Sequence, residues 1–161
     1  MATAAAAGMV AAVPAPQSEP VADMNHALHV IEREIECSEC HQGVESQARA
    51  GVPSIAVCKD CHEEDTVEDM GGTDNARMIV GHMANDEELW WPDLYVLPDH
   101  VVFSHFRHVS LGEIPCEKCH GAIASSTTLP EEPVEEFLTM DGCMECHAEH
   151  GASDDCAGCH K

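Results

Sequence analysis

Basic residues are scarce in this chain of 161 residues: seven lysines and arginines face 30 aspartates and glutamates, for a formal net charge of −23 with histidine neutral. That imbalance argues against nucleic acid or an anionic lipid surface as a partner, since both attract cationic side chains. Large apolar side chains are also few. Leu, Ile, Val and Phe together number 30 of 161, and a chain so poor in aliphatics and so acidic would by composition alone read as disordered. The polypeptide by itself lacks the apolar surface to fold. No uninterrupted apolar run of bilayer length is present. The uncharged stretch from Met1 to Ser18 is mostly alanine and is broken by Gly8, Pro14 and Pro16, which makes it a weak membrane-spanning candidate. Its small residues from Ala12 to Ala15 resemble the end of a signal peptide, but the basic residues that open one are missing. Residues 1–23 therefore read as a signal-like or flexible N-terminal segment.

Cysteine and histidine are what the chain has in excess, ten and 12 respectively. Every cysteine belongs to a Cys-x-x-Cys-His motif: Cys37, Cys40 and His41; Cys58, Cys61 and His62; Cys116, Cys119 and His120; Cys143, Cys146 and His147; Cys156, Cys159 and His160. This is the attachment signature of c-type haem, in which two thiols add to the two vinyl groups and the adjoining imidazole binds the iron. Structural zinc, a redox dithiol or a disulfide framework also uses Cys-x-x-Cys, but none requires histidine immediately after the second cysteine. Five motifs imply five haem c groups. Five flat apolar porphyrins, tethered covalently and clamped through iron, supply the buried surface that the side chains lack. Attachment of haem to thiols implies a periplasmic or extracellular location. The acidic surface suits docking to a basic patch on another redox protein, and equally suits simple solubility.

The chain carries an internal repeat. His26-x-x-His29 precedes Cys37 with seven residues between, His105-x-x-His108 precedes Cys116 in the same way, and the offset is 79 residues. Val30, Glu34 and Ile35 correspond to Val109, Glu113 and Ile114, which indicates duplication of a two-haem unit. The expected organisation is a first two-haem half at 24–62, an acidic connector at 63–99 and a three-haem second half at 100–161. Trp90, Trp91 and Tyr95 lie in the connector, where Pro92 and Pro98 favour an extended segment that covers haem edges or joins the halves. Regular structure elsewhere is expected to be sparse: short helices at the motifs, and a longer one from Glu131 or Pro133 to Met140, stopping near Gly142.

Beyond the five motif histidines stand His26, His29, His82, His100, His105, His108 and His150. Five distal iron positions need filling, and a second imidazole gives a low-spin iron that changes oxidation state with little rearrangement. The paired His26, His29, His105 and His108 are the leading candidates, because imidazoles so close in sequence can face two adjacent haems. Met140, near Cys143, is the nearest sulfur rival, although packing is its expected role.

Phe103-Ser-His105-Phe-Arg-His108, with the motif at Cys116 and the terminal motif at Cys156, resembles the class III multihaem cytochromes. That resemblance implies a multihaem cytochrome c fold with little regular secondary structure, its short α-helices arranged around five covalently bound haems. It also implies His105 opposite His120, His108 opposite His147 and, through the repeat, His26 opposite His41 and His29 opposite His62. His150 is then left for His160, with His82 or His100 as its substitute. The segment from Leu89 to His105, together with Leu138-Thr-Met-Asp-Gly-Cys143, is similar to the penta- and hexahaem subunits of quinol-oxidising assemblies such as alternative complex III and the quinone reductase complex of sulfate reducers. Those relatives carry an N-terminal membrane anchor, which the start of this chain does not resemble.

Electron transfer follows as the expected role, within a respiratory or photosynthetic complex, as a soluble shuttle or as a protomer of an extracellular filament. The partners implied are redox proteins, among them a membrane quinol-oxidising complex or a photosynthetic reaction centre. No catalytic residue is expected. A multihaem oxyanion reductase would need an open iron face and cationic groups around it, and seven basic residues give that reading little support.

Overall fold

In the computed structural model, residues 22–92, 94–133 and 139–161 are described. Among them are six α-helices: α1 (Cys37–Cys40), α2 (Ile55–His62), α3 (Asp74–Asn85), α4 (Glu117–His120), α5 (Met140–His150) and α6 (Cys156–Cys159). Two π-helical turns (Ala27–Glu32 and Arg107–Leu111) and a 3-10 turn (Ile123–Ser125) complete the regular structure. The only β pairing among these residues is an isolated antiparallel bridge between Val101 and His160. The architecture is the expected one of short helices with little else. No described helix is long and apolar enough to cross a membrane.

The duplication is visible in backbone geometry. Each π-helical turn closes on a glutamate in the left-handed region, Glu34 (φ 56°) and Glu113 (φ 53°). Just after it, the N–H of Ile35 reaches the carbonyl of His29 (3.1 Å) and that of Ile114 reaches His108 (3.0 Å). A left-handed residue here satisfies a carbonyl that the turn would otherwise leave open, as at helix C-termini. Both glutamates hold a conformation that L-residues adopt at some energetic cost.

Helix α3 departs from the expectation of sparse structure. Thr73 caps it by accepting from the N–H of Ala76 (3.0 Å), and Asp86 ends it in a left-handed conformation. Ala76, Ile79 and Met83 form its buried face at helical spacing. The cap and the spacing were present in the sequence, masked by the acidity around them. This face packs on α2, where Ala22, Ile55, Ile79, Met83 and Leu89 make the core, with Cys58, Met70 and Trp91 against it. Trp91 Nε1 donates to the carbonyl of Pro53 (3.0 Å), and Glu88 accepts from the N–H of Ile55 (2.8 Å).

The expected N-terminal segment falls largely outside the described residues, but its last two positions belong to the fold. Ala22 is buried in the core. Asp23 and Asn75 exchange two hydrogen bonds of 2.9 Å, and Asp23 Oδ1 accepts from the N–H of Leu129 (2.7 Å). The helix expected before Met140 lies mostly on 134–138, outside the described residues. The helix present there begins at Met140 and runs through Gly142, because Thr139 caps it by accepting from the N–H of Gly142 (3.0 Å). Gly151, at φ 62°, ends it instead.

Among the described residues, buried side chains are few: Ala22, Val44, Ile55, Ala76, Ile79, Met83 and Leu89. None of the described residues from position 100 onward is buried. Phe103, Phe106 and Leu111 stand exposed in this second half and give it an apolar surface.

Candidate haem centres

No two of the ten cysteines are joined in a disulfide, and among the described residues no three His, Cys, Asp or Glu side chains converge as a zinc site requires. In α1, α4 and α6 the motif is a single helical turn. The N–H of His41, His120 and His160 each lies 2.9 Å from the carbonyl of the first cysteine of its motif. One turn puts thiols at i and i+3 on the same side, the arrangement that two vinyl groups of one porphyrin demand. The second and fourth motifs sit instead at the end of α2 and within α5.

Histidine rings meet in pairs. His29 and His62 have centroids 6.2 Å apart, His105 and His120 6.4 Å, His108 and His147 6.1 Å. An iron between two imidazole nitrogens, each about 2 Å away, separates ring centroids by about 6 Å. That spacing is too wide for ring contact and right for an intervening metal, so the residues fit a bis-histidine haem. His100 and His160 form a further pair at 5.5 Å, nearly parallel at 20°. For the first motif, His26 faces His41 closely enough that, after burial, the His41 charge is the next influence holding His26 below the usual imidazole range. Burial similarly lowers His105 and His120, which favours the neutral, metal-binding imidazole.

The outer nitrogens are tied down. His29 Nδ1 donates to the carbonyl of Asn25 (2.9 Å) and His108 Nδ1 to that of Ser104 (2.8 Å), equivalent positions in the repeat. His41 Nδ1 donates to Gly51 (2.7 Å), His105 Nδ1 to Ala48 (3.1 Å) and His147 Nδ1 to Ser153 (2.6 Å). A carbonyl only accepts, so each Nδ1 carries the proton and each Nε2 keeps its lone pair for iron. His62 differs: its Nδ1 meets the carboxylate of Asp65 at 2.5 Å.

Each half braces a histidine of the other's His-x-x-His pair. The loop after the first motif offers the Ala48 carbonyl to both the N–H and Nδ1 of His105 (3.0 and 3.1 Å). The loop after the third motif offers Ser126, whose hydroxyl lies 3.4 Å from His26 Nδ1 and whose carbonyl accepts from Ala27 (2.9 Å). Phe103 wedges between His105 (5.0 Å) and His108 (4.5 Å), and Tyr95 meets His120 edge-on at 4.6 Å.

Sulfur neighbours give the spatial order of the motifs. Burial first, and then a thiol of another motif, raises Cys58 (by Cys40), Cys116 (by Cys37, also hydrogen-bonded to it), Cys119 (by Cys146 and Cys143) and Cys143 (by Cys159). These neighbouring charges order the motifs as second, first, third, fourth and fifth.

His150 and His82 stand outside these pairs. His150 Nδ1 donates to Cys146 within α5 (2.9 Å), and His82 Nδ1 donates to Glu88 (3.1 Å). The ring against His160 is His100, where the family resemblance had pointed to His150. Val101 pairs with His160, and the N–H of Lys161 reaches the His100 carbonyl (3.1 Å), so the bridge that seats the C-terminus delivers His100. Asp65 and the bracing carbonyls were not singled out from the sequence. An acid three residues after a motif histidine was the one available signal.

The model of the family described as cytochrome c7 and related cytochrome c matches residues 101–161. Over 170 aligned positions the chain is 31% identical to the menaquinone reductase, multiheme cytochrome c subunit, of Nitratidesulfovibrio vulgaris (strain Hildenborough), covering 90% of this chain and 78% of that protein.

Proposed function

The chain belongs to the multihaem cytochrome c family, whose members are electron carriers and not enzymes, and on that premise we propose that it binds five haem c groups and conducts single electrons between redox proteins at its two ends. The observation that carries this reading is the set of imidazole pairs about 6 Å apart, each adjoining a Cys-x-x-Cys turn. The ten cysteines hold the haems as thioethers. His41, His62, His120, His147 and His160 supply the proximal nitrogens, and His26, His29, His105, His108 and His100 the distal ones. In this assignment His100 takes the place that resemblance gave to His150. When bound, each haem supplies a one-electron ferric/ferrous couple. The protein's own groups keep Nε2 of His29, His41, His62, His105, His108 and His147 free by bonding Nδ1, and the order of motifs makes the second and fifth the ends of the path. With a histidine available on each side, a bound haem would offer substrate no open iron position.

The similarity to a menaquinone reductase subunit supports a partner of the same kind, a quinone-linked membrane complex that this chain would serve from the extracytoplasmic side. Thiol-attached haem supports that compartment.

The test is the holoprotein made in a host with haem-attachment machinery. Mass spectrometry should give five haems, and the reduced protein should bind no carbon monoxide. His100→Ala should open one iron to a stoichiometric carbon monoxide adduct, while His150→Ala should not. An adduct in the unsubstituted protein would sink the carrier reading, and the reverse pattern in the two variants would return His150 to the ligand set.

A further inference from the structure

We infer that Asp65 sets the reduction potential of the haem held by Cys58, Cys61, His29 and His62, acting as a positioning residue whose carboxylate backs the iron-ligating imidazole of His62. The inference rests on the five-haem reading above. Asp65 Oδ2 lies 2.5 Å from His62 Nδ1, and both side chains are about two-thirds covered, with 31% and 35% of their surface exposed. The turn that brings the carboxylate back is closed by the N–H of Asp65 on the carbonyl of His62 (3.0 Å). Every other ligand histidine with a described Nδ1 partner has a neutral one: the carbonyls of Asn25, Gly51, Ala48, Ser104 and Ser153, or the Ser126 hydroxyl.

The difference in partner charge matters physically. A hydrogen bond to a carboxylate is shorter and stronger than one to a carbonyl. It draws the Nδ1 proton outward and leaves more electron density on Nε2, which raises the basicity of the ligand. A more basic ligand favours ferric over ferrous iron and lowers the potential, one of the levers by which proteins tune haem. The place is also distinctive, because the second motif lies beside the α2–α3 core. In the second half the residue three after His147 is His150, which returns its proton to Cys146 within the helix. The corresponding motifs of the two halves are thus braced differently, by a carboxylate behind His62 and a backbone carbonyl behind His147.

The experiment is redox potentiometry of the five-haem holoprotein with optical and electron paramagnetic resonance detection, on the unsubstituted chain, Asp65→Asn, Asp65→Glu and Glu64→Gln. Asp65→Asn should raise one of the five midpoint potentials by at least a ten-fold change in its ferric/ferrous equilibrium, about 59 mV for a one-electron couple, and shift one low-spin ferric signal. Asp65→Glu should restore both. Glu64→Gln, which removes an exposed charge one residue away, should leave that haem within this window. With five haems attached, unchanged potentials in Asp65→Asn would overturn the inference. An equal shift in Glu64→Gln would do so as well, by reducing the effect to surface charge, and so would a high-spin haem in Asp65→Asn, which would show a merely structural support. Fewer than five haems in the unsubstituted protein would refute the five-haem reading instead.

Discussion

The second motif and the fourth follow the same duplicated turn, yet they are embedded in different surroundings. His62 ends α2, whose Ile55 is buried against Ile79 and Met83 of α3. His147 lies inside α5, which has no buried residue. In the first half the helix stops at the ligand and lets a side chain, Asp65, fold back onto it. In the second half the helix runs on to Gly151, and the backbone carbonyl of Ser153 takes that place. A protein core next to a haem site frees side chains for tuning. Where there is none, the cofactors themselves serve as core, and the backbone is what remains to hold the ligands.

The largest way to break this comparison is to remove corresponding ligands. His26→Ala and His105→Ala should each open one iron, seen as a carbon monoxide adduct of the reduced protein. His105→Ala should destabilise more, by several kcal/mol, because it removes a clamp from the half that has no buried side chains and cuts the tie to Ala48. Denaturant midpoints of the two holoproteins measure the difference. Equal losses would mean that the α2–α3 core contributes nothing local.

A smaller effect should appear at Gly43. A Cβ there would stand 2.4 Å from the Arg49 carbonyl oxygen and 2.9 Å from that of Ala50, both backbone atoms of the loop that holds His41 and His105. Gly43→Ala should cost about 1–3 kcal/mol. The position 79 residues on is already Ala122, so Ala122→Gly should change stability by about 1 kcal/mol or less. If Gly43→Ala is equally mild, the loop yields more readily than its contacts suggest.

The smallest expected effect tests the symmetry itself. Glu34→Gly and Glu113→Gly relieve a left-handed residue, worth about 1–2 kcal/mol, and lose part of that gain to a more flexible unfolded chain. Both should shift thermal midpoints upward slightly and by the same amount. A shift in one alone would show that the two turns are alike in shape and not in strain.

Some of this was legible residue by residue. The five motifs, the duplicated His-x-x-His pairs and the resemblance around Phe103 to His108 led to a multihaem cytochrome, and the family match over 101–161 agrees. Glu34 and Glu113 were readable as equivalent positions, but nothing in their identity announces a left-handed backbone, which other residue types favour. Helix α3 was hidden by its acidic setting, although Thr73 and the spacing of Ala76, Ile79 and Met83 were there to be read. The helix expected up to Met140 falls mostly outside the described residues, and α5 was not foreseen because Gly142 looked like a stop, whereas the Thr139 cap makes it part of a first turn.

What the sequence determined by itself is the local chemistry. Two thiols and an imidazole within five residues define a haem site whatever surrounds them, since the covalent spacing of one helical turn does the work. The poverty in aliphatics likewise made cofactors the core before any coordinate was known. The tertiary structure alone decided that His100, and not His150, stands against His160. His100 reaches His160 through a backbone bridge, and Ala48 reaches His105 across 57 positions. Such pairings depend on how loops pack, a sum of weak contacts between distant residues that no short spacing encodes. Asp65 marks the boundary between the two: it is three residues from His62 in the chain, but only the end of α2 at that histidine turns the nearness into a hydrogen bond.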